Sequence, residues 1–253
     1  MSTENFTSRI VKALNSWEGF LLLVLVLLFV GNTINSPFFF TLNNQINLFQ
    51  LSIEKVIVAV IMTFVIINAE IDLSVASIMG FAACLFGWLF QSGVSASGAV
   101  VIVLAAGAIL GAFNAFWIAW VGIPSLVVTL ATMIAFRGFA RVLVEDRGIT
   151  GFPDWFDKLG QAPLVGPIPL SILVFFVLVF FFYIVLQRTV FGRQVYFIGS
   201  NRDVAEYSGI NVRRVQAIIF TLSGLISALA GLLFAARLGA VRGDAALGFE
   251  LDI

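Results

Sequence analysis

The sequence predicts an all-α fold, a polytopic helical membrane protein, and three observations carry the prediction. First, 60% of the residues are hydrophobic and 11% charged, with a mean hydropathy of +1.07, more apolar surface than a soluble fold can hide. Second, no charged residue stands between Asp72 and Arg137, and none between Lys158 and Arg188; both intervals far exceed the ~20 residues that cross a bilayer core. Third, the apolar segments are continuous runs such as LLLVLVLLFV and ILVFFVLVFFFYIVL, whereas a membrane β-barrel needs alternating segments of roughly ten residues.

Seven spans follow in order, at 17–34, 52–68, 74–91, 97–121, 124–143, 169–187 and 215–236, within a single domain over 1–253. The first is a retained span: Arg9 and Lys12 precede it, and no small-residue cleavage site follows. The third opens where Asp72 or Ser74 can cap a helix. The fourth and seventh carry the small residues that let helix backbones approach in lipid: Gly107 with Gly111, Gly224 with Ala228, and Ser227 with Gly231. Cys84 lies in an apolar run and reads as a packing residue. Beyond Ala236 the chain runs to Ile253 with no charged tail or helix stop, which reads as a chain that ends before its last spans.

Charge placement orients the spans. The loop 187–215 holds Arg188, Arg193, Arg202, Arg213 and Arg214 against Asp203 and Glu206, which places it in the cytoplasm. Alternation then puts the loop 145–168 outside, where Glu145, Asp146, Asp154 and Asp157 outnumber Arg147 and Lys158, and returns the N-terminus to the cytoplasm beside Arg9 and Lys12. Arg137 and Arg141, one turn apart near the outer end of their span, can snorkel to the surface or pair with Glu145 and Asp146. In the outer segment GFPDWFDKLG, Pro153 suits a first helical position and Gly160 its end, with Trp155 and Phe156 ready for the membrane interface.

The polar island FGRQVYFIGSNRDVAEYSGI, 191–210, reads as a short capped helix at 201–208. Ser200 and Asp203 have capping-box spacing, and Gly209 is placed to end the helix in the left-handed region. Val204, Tyr207 and Ser208 share one face, which could seat in a partner's groove. The alternative is an ordinary solvated loop.

Composition excludes several function classes. A formal net charge of zero suggests no nucleic-acid partner, and without histidine there is no histidine-ligated metal or histidine proton relay. Lys12, Lys55 and Lys158 are followed by Ala, Val and Leu, so none stands in a phosphate-binding G-x-x-x-x-G-K-[ST] loop. The chain is not an enzyme that hydrolyses ATP by itself.

Four stretches together carry a family resemblance. FGRQVYFIGSNRDVAEYSGINVRRVQ followed by FTLSGLISALAGLLFAARLG, EIDLSVAS at 70–77, GAFNAFWIAWVGIPSLVVTLATMIAFRG at 111–138 and GFELD at 248–252 resemble the permease subunits of bacterial ABC importers for monosaccharides, the ribose, galactose, xylose and rhamnose group. The resemblance implies about ten spans, of which seven are visible with the C-terminal part missing. It also implies a cytoplasmic ATP-binding subunit that holds ATP and Mg, a periplasmic sugar-binding protein, and a second permease copy or a related permease. The island becomes the ATPase-coupling helix, with Gly199, Ser200, Asn201, Arg202, Asp203, Ala205, Tyr207 and Gly209 as candidates. Asp203, Val204, Ala205 and Gly209 match the E-A-A-x-x-x-G part of the importer EAA loop, and its later I-x-L-P part is absent.

The translocation-path candidates are Asn68, Glu70, Asp72, Ser74, Asn114, Thr129 and Thr132. The uncharged ones can hydrogen-bond a sugar hydroxyl or join helices. Arg137, Arg141, Asp154 and Trp155 are candidates for contact with the binding protein. The chain departs from the family pattern at Ala69 and Glu70, which replace two glycines before I-D-L-S, and at Ala76 and Ala115, each replacing one more. A carboxylate such as Glu70 at a membrane helix break is costly unless it faces water, a partner or a cavity; it can rest in interfacial water or line and gate the path. An ion-coupled or passive sugar carrier using Glu70 and Asp72 is the main alternative, and an inert membrane scaffold a third. The IPSLVVTLAT and GFPDWFDKLG details lean toward a deoxyhexose such as rhamnose.

Overall fold

The computed structural model describes residues 16–145 and 147–253; Arg9, Lys12 and Asp146 therefore lie outside the described residues. Two compact units divide the chain at Phe49 and Gln50. In the first, α1 (Trp17–Asn35) begins where Ser16 Oγ accepts the Gly19 N–H at 3.2 Å. Its Leu, Val and Phe side chains are exposed around the whole helix, which suits lipid as the surrounding solvent. α2 (Leu42–Gln50) has no counterpart in the sequence reading. Its LNNQINLFQ composition is half polar, and nine residues rise only about 14 Å, too short to span.

The second unit is a helical bundle. α3 (Ile53–Ile67) and α4 (Val75–Gln91) flank an irregular break at 68–74, and α5 (Ala96–Ala115) continues as a π-helical stretch, Phe116–Val121, that ends at Gly122. α6 (Ser125–Val144), α8 (Leu170–Arg188) and α11 (Val212–Leu238), together with α1 and α5, are the five described helices long and apolar enough to cross a membrane. Between α6 and α8 lie β1 (Ile149–Thr150), the short α7 (Asp154–Gln161) and the hairpin of β2 (Pro163–Val165) with β3 (Ile168–Pro169). After α8 come α9 (Val190–Ser200) and α10 (Arg202–Tyr207); β4 (Ala240–Val241) follows α11 and pairs antiparallel with β1.

α11 is the axis of this unit, packed by α3, α4, α5 and α7. The expected small-residue contacts make the approach possible. A Cβ on Gly107 would meet Ala228 and Gly224, one on Gly111 would collide with the Phe220 carbonyl, and one on Gly231 would meet the Met79 carbonyl of α4. Phe86 of α4 extends the core outward, stacked on Phe156 of α7 at 4.0 Å between centroids. Phe156 is thus buried core rather than an interface anchor, while its neighbour Trp155 is 46% exposed. The amphipathic turn of α7 separates the two: consecutive residues point about 100° apart on a helix.

Ion pairs tie the end of the bundle that carries α7. The Arg237 guanidinium donates to both oxygens of buried Glu54, at 2.6 and 3.3 Å, and Lys55 pairs with Asp252 at 2.7 Å. Arg137 pairs with Glu250 at 3.0 Å, a partner that neither alternative read from the sequence, snorkelling or pairing with Glu145, offers, while Asp146 lies outside the described residues. Glu145 takes a left-handed conformation at the end of α6, so it leaves the helical (i, i+4) position beside Arg141 and meets Arg147 at 3.6 Å instead. Cys84 is buried in α4, its thiol donating to the Arg242 carbonyl at 3.2 Å.

Candidate coupling helix and the polar break

The polar island folds as two helices rather than one. Thr189 Oγ1 caps α9 by accepting the Gly192 N–H at 3.2 Å. At the other end of α9, Gly199 lies so close to α3 that a Cβ would strike the Ile67 carbonyl. The cap of α10 is Asn201, whose Oδ1 accepts the Val204 N–H at 3.0 Å; this corrects the expected Ser200–Asp203 capping box. Ser200 is the last residue of α9, so its backbone is helical and it cannot occupy the extended cap position that Asn201 takes, at φ −161° and ψ 109°. Gly209 ends α10 as expected, with φ +82°, the Gly209 N–H bonded to the Glu206 carbonyl and the Ile210 N–H to the Ala205 carbonyl.

α10 is short, closed at both ends, and presents an outward face. Ala205 is buried, whereas Tyr207 is 93% exposed and Val204 and Asp203 are exposed beside it. Its inward link is Arg202. The Arg202 guanidinium reaches Glu70 at 3.8 Å, Gln216 Oε1 at 3.5 Å and Glu206 of its own helix at 3.8 Å. The buried Gln216 of α11 in turn donates its Nε2–H to Glu70 Oε1.

Glu70 begins the break between α3 and α4. The chain leaves α3 through Ala69 at φ +59°, with the Ala69 N–H bonded to the Ile66 carbonyl and the Glu70 N–H to the Val65 carbonyl. This is a Schellman ending with alanine at the position that usually holds glycine. Beyond it a buried polar knot fixes the next residues. Asp72 Oδ1 accepts from the Ser74 N–H at 3.0 Å and the Ser74 hydroxyl at 2.6 Å. Its Oδ2 accepts from Ser223 of α11 at 2.8 Å. Asn114 of α5 donates to Ser74 Oγ at 2.8 Å, and Ser125 of α6 accepts the Ile71 N–H at 3.2 Å. Thr129 donates to the Ser125 carbonyl at 2.8 Å and to the Ile71 carbonyl at 3.4 Å. One non-helical stretch is therefore held by three helices, and the Ile71 N–H, the Ile71 carbonyl and the Ser74 N–H find side-chain partners inside the protein, as backbone at membrane depth requires.

Asp72, Ser74, Asn114 and Thr129 thus come together. Glu70 faces the other way, to Arg202. Thr132 turns back to the Val128 carbonyl of its own helix at 3.0 Å, and Asn68 is buried at the end of α3 with its amide unpaired. A cleft of about 520 Å³ runs along α11, lined by Trp120, Arg213, Arg214 and Thr221 among others, and none of the path candidates lines it. Toward the opposite end, Asp154 and Trp155 are exposed on α7 and Arg141 is exposed on α6, whereas Arg137 is committed to Glu250. Burial, with Asp154 nearby, raises the Asp157 carboxyl above its usual range. Gln216, Ser223 and Ser125 are hydrogen-bonding neighbours of the candidate residues that sequence reasoning missed. Gln216 and Ser223 stand with Thr221 and Ser227 as the polar residues of the otherwise apolar stretch 215–236, a signal present in the sequence.

A family model described as branched-chain amino acid transport system, permease component, matches residues 44–253. The chain belongs to this permease family. The permease is 37% identical over 199 residues to the autoinducer 2 import system permease protein LsrD of Yersinia enterocolitica, a match covering 76% of this chain and 60% of that relative. It is 35% identical over 257 residues to the probable ABC transporter permease protein YphD of Escherichia coli, covering 100% of this chain and 74% of the relative. Against the ribose import permease protein RbsC of Escherichia coli, identity is 34% over 259 residues, with 100% and 80% covered. The permease thus spans between three fifths and four fifths of the relatives it matches. No solved structure matches it. Its multi-pass helical fold and family agree with the resemblance carried by the four sequence motifs.

Proposed function

We propose that this permease is the membrane subunit of an ATP-driven importer that carries a monosaccharide from the periplasm to the cytoplasm. The single observation that carries the reading is α10, a helix capped at both ends between spans, with Tyr207 and Val204 presented outward and Arg202 turned inward to the bundle. A separate ATP-binding subunit, which would hold ATP and Mg, docks there. Affinity for the sugar resides mainly in a soluble binding protein, for which Asp154 and Trp155 on α7 and the exposed Arg141 offer contacts. A second permease completes the path. The ribose importer among the relatives supports a sugar as cargo, and a deoxyhexose such as rhamnose remains within this class.

Two other readings make different predictions. The family description names branched-chain amino acids, which favours leucine as cargo. An ion-coupled carrier would use Glu70 and Asp72, of which Glu70 is engaged by Gln216 and Arg202 and Asp72 by the Ser74 and Ser223 hydroxyls; this supports a structural use of both carboxylates. The test co-expresses the permease with its ATP-binding subunit and compares wild type with an Ala205→Arg, Gly209→Pro variant. The expected result is co-purification with wild type, its loss in the variant, and ATP-dependent uptake of labelled ribose or rhamnose by wild-type proteoliposomes supplied with binding protein. Uptake of leucine alone would move the substrate class, and sugar uptake without any ATP-binding subunit would overturn the importer reading.

A further inference from the structure

Glu70 connects two parts of the molecule that are distant in sequence. On one side, its carboxylate meets Arg202, the first residue of α10, and Gln216 of α11. On the other, it stands two residues before Asp72, whose carboxylate fixes Ser74 at the start of α4 and Ser223 on α11, with Asn114 of α5 bonded to the same Ser74. The covalent route from α10 to this break runs back through α9, α8 and the external segment. The route through Glu70 is one ion pair and two peptide units. Ala69 and Glu70 stand where the pattern this chain resembles has two glycines.

We propose that Glu70 is a positioning residue that passes the movement of α10 to the break between α3 and α4. The inference rests on the coupling-helix reading and deepens it. The contact has the properties such a transmitter needs. The Glu70 side chain is only 13% exposed and Arg202 is 47% exposed, so the pair sits at the surface of the bundle with its acidic end anchored inward. Gln216 is fully buried and bonds to both partners, donating to Glu70 and accepting from Arg202; it holds their relative position. With its Arg202 end nearly half exposed and its charges 3.8 Å apart, the pair contributes little to folding, so its loss should alter the response to α10 more than the fold. Displacing Arg202 pulls on Glu70 and, through the two peptide units that follow it, reorients the segment that Asp72 and Ser74 bind to α5 and α11. A contiguous physical network of this kind can carry coupling energy, which a double-mutant cycle measures.

The experiment reconstitutes the permease with its ATP-binding subunit and binding protein and reads three quantities: the amount of ATP-binding subunit retained, the ratio of ATPase rate with sugar-loaded binding protein to the rate without it, and sugar delivered per ATP hydrolysed. Glu70→Gln keeps size and a hydrogen bond to Gln216 and removes only the charge. It should retain the ATP-binding subunit as wild type does while the stimulation ratio falls by about three- to five-fold, with a matching fall in sugar per ATP. The charge swap Glu70→Arg with Arg202→Glu should recover the ratio to within about two-fold of wild type, since the Gln216 amide can present either end to either partner. A Glu70→Gln ratio equal to wild type, or a swap that retains the ATP-binding subunit with no recovery, overturns the proposal while leaving the coupling-helix reading intact. Failure of wild type to hold any ATP-binding subunit overturns both.

Discussion

At Ala69 the backbone adopts φ +59° to close the end of α3, a conformation that costs an L-residue roughly 1–2 kcal/mol. Glycine takes it without that strain but is freer in the unfolded chain, which returns about 0.4–1 kcal/mol. Ala69→Gly should therefore stabilise the permease by about 0.5–1 kcal/mol, measured as a small rise in the midpoint of thermal unfolding in detergent; an unchanged or lower midpoint would mean that the Ala69 methyl makes a compensating contact. Single residues were the hardest scale to read from sequence. The departure of Ala69 and Glu70 from the family's glycines was visible as a pattern, but that Ala69 is left-handed and Glu70 faces Arg202 depends on where a distant segment, 132 residues further along the chain, comes to rest. Likewise Ser200 and Asn201 are both good caps, and only the extent of α9 decides between them.

Elements were more legible because lipid imposes a simple rule. A long apolar run must form its own hydrogen bonds and so becomes a helix; each of the seven predicted spans falls on a helix, but only α1, α5 with its π-helical stretch, α6, α8 and α11 are by themselves long and apolar enough to cross a membrane, α3 and α4 being shorter. The misses fall where the rule is silent. α2 and α9 are polar or amphipathic, and their positions are set by capping and close approach rather than hydropathy. Between elements, small-residue spacing marked the surfaces through which helices pack closely, and the fold shows that Gly107 and Gly111 of α5 meet Gly224 and Ala228 of α11. Gly111→Ala places a methyl against the Phe220 carbonyl, with Gly224 behind it, so only backbone could yield. The expected cost is about 1–3 kcal/mol, seen as a lower unfolding midpoint and a broadened elution profile. Gly31→Ala on α1 is the control: its Cβ meets nothing within 4 Å, and helix propensity makes it neutral or stabilising by up to about 1 kcal/mol. Equal behaviour of the two variants would remove the α5–α11 contact as an organising feature.

At the scale of the whole molecule, the contacts sort the second unit into two ends. One gathers Glu54 with Arg237, Lys55 with Asp252, Arg137 with Glu250, and β1 with β4. The other gathers Glu70, Arg202 and Gln216 beside α9 and α10. The alternation of spans read from charge assigns the first set to the outside and the second to the cytoplasm, and each of these pairs joins segments assigned to the same side. Had the count of spans been wrong by one between α3 and α11, pairs such as Glu54 with Arg237 would join opposite sides of the bilayer. The arrangement leads to a direct test of orientation. In a Cys84→Ala background, Asp154→Cys on α7 should react with a membrane-impermeant maleimide added to spheroplasts, whereas Glu206→Cys on α10 should react only after the membrane is opened. The reverse pattern would place α10 outside, where no ATP-binding subunit could reach it, and the ATP-coupled reading would fail for the molecule as a whole.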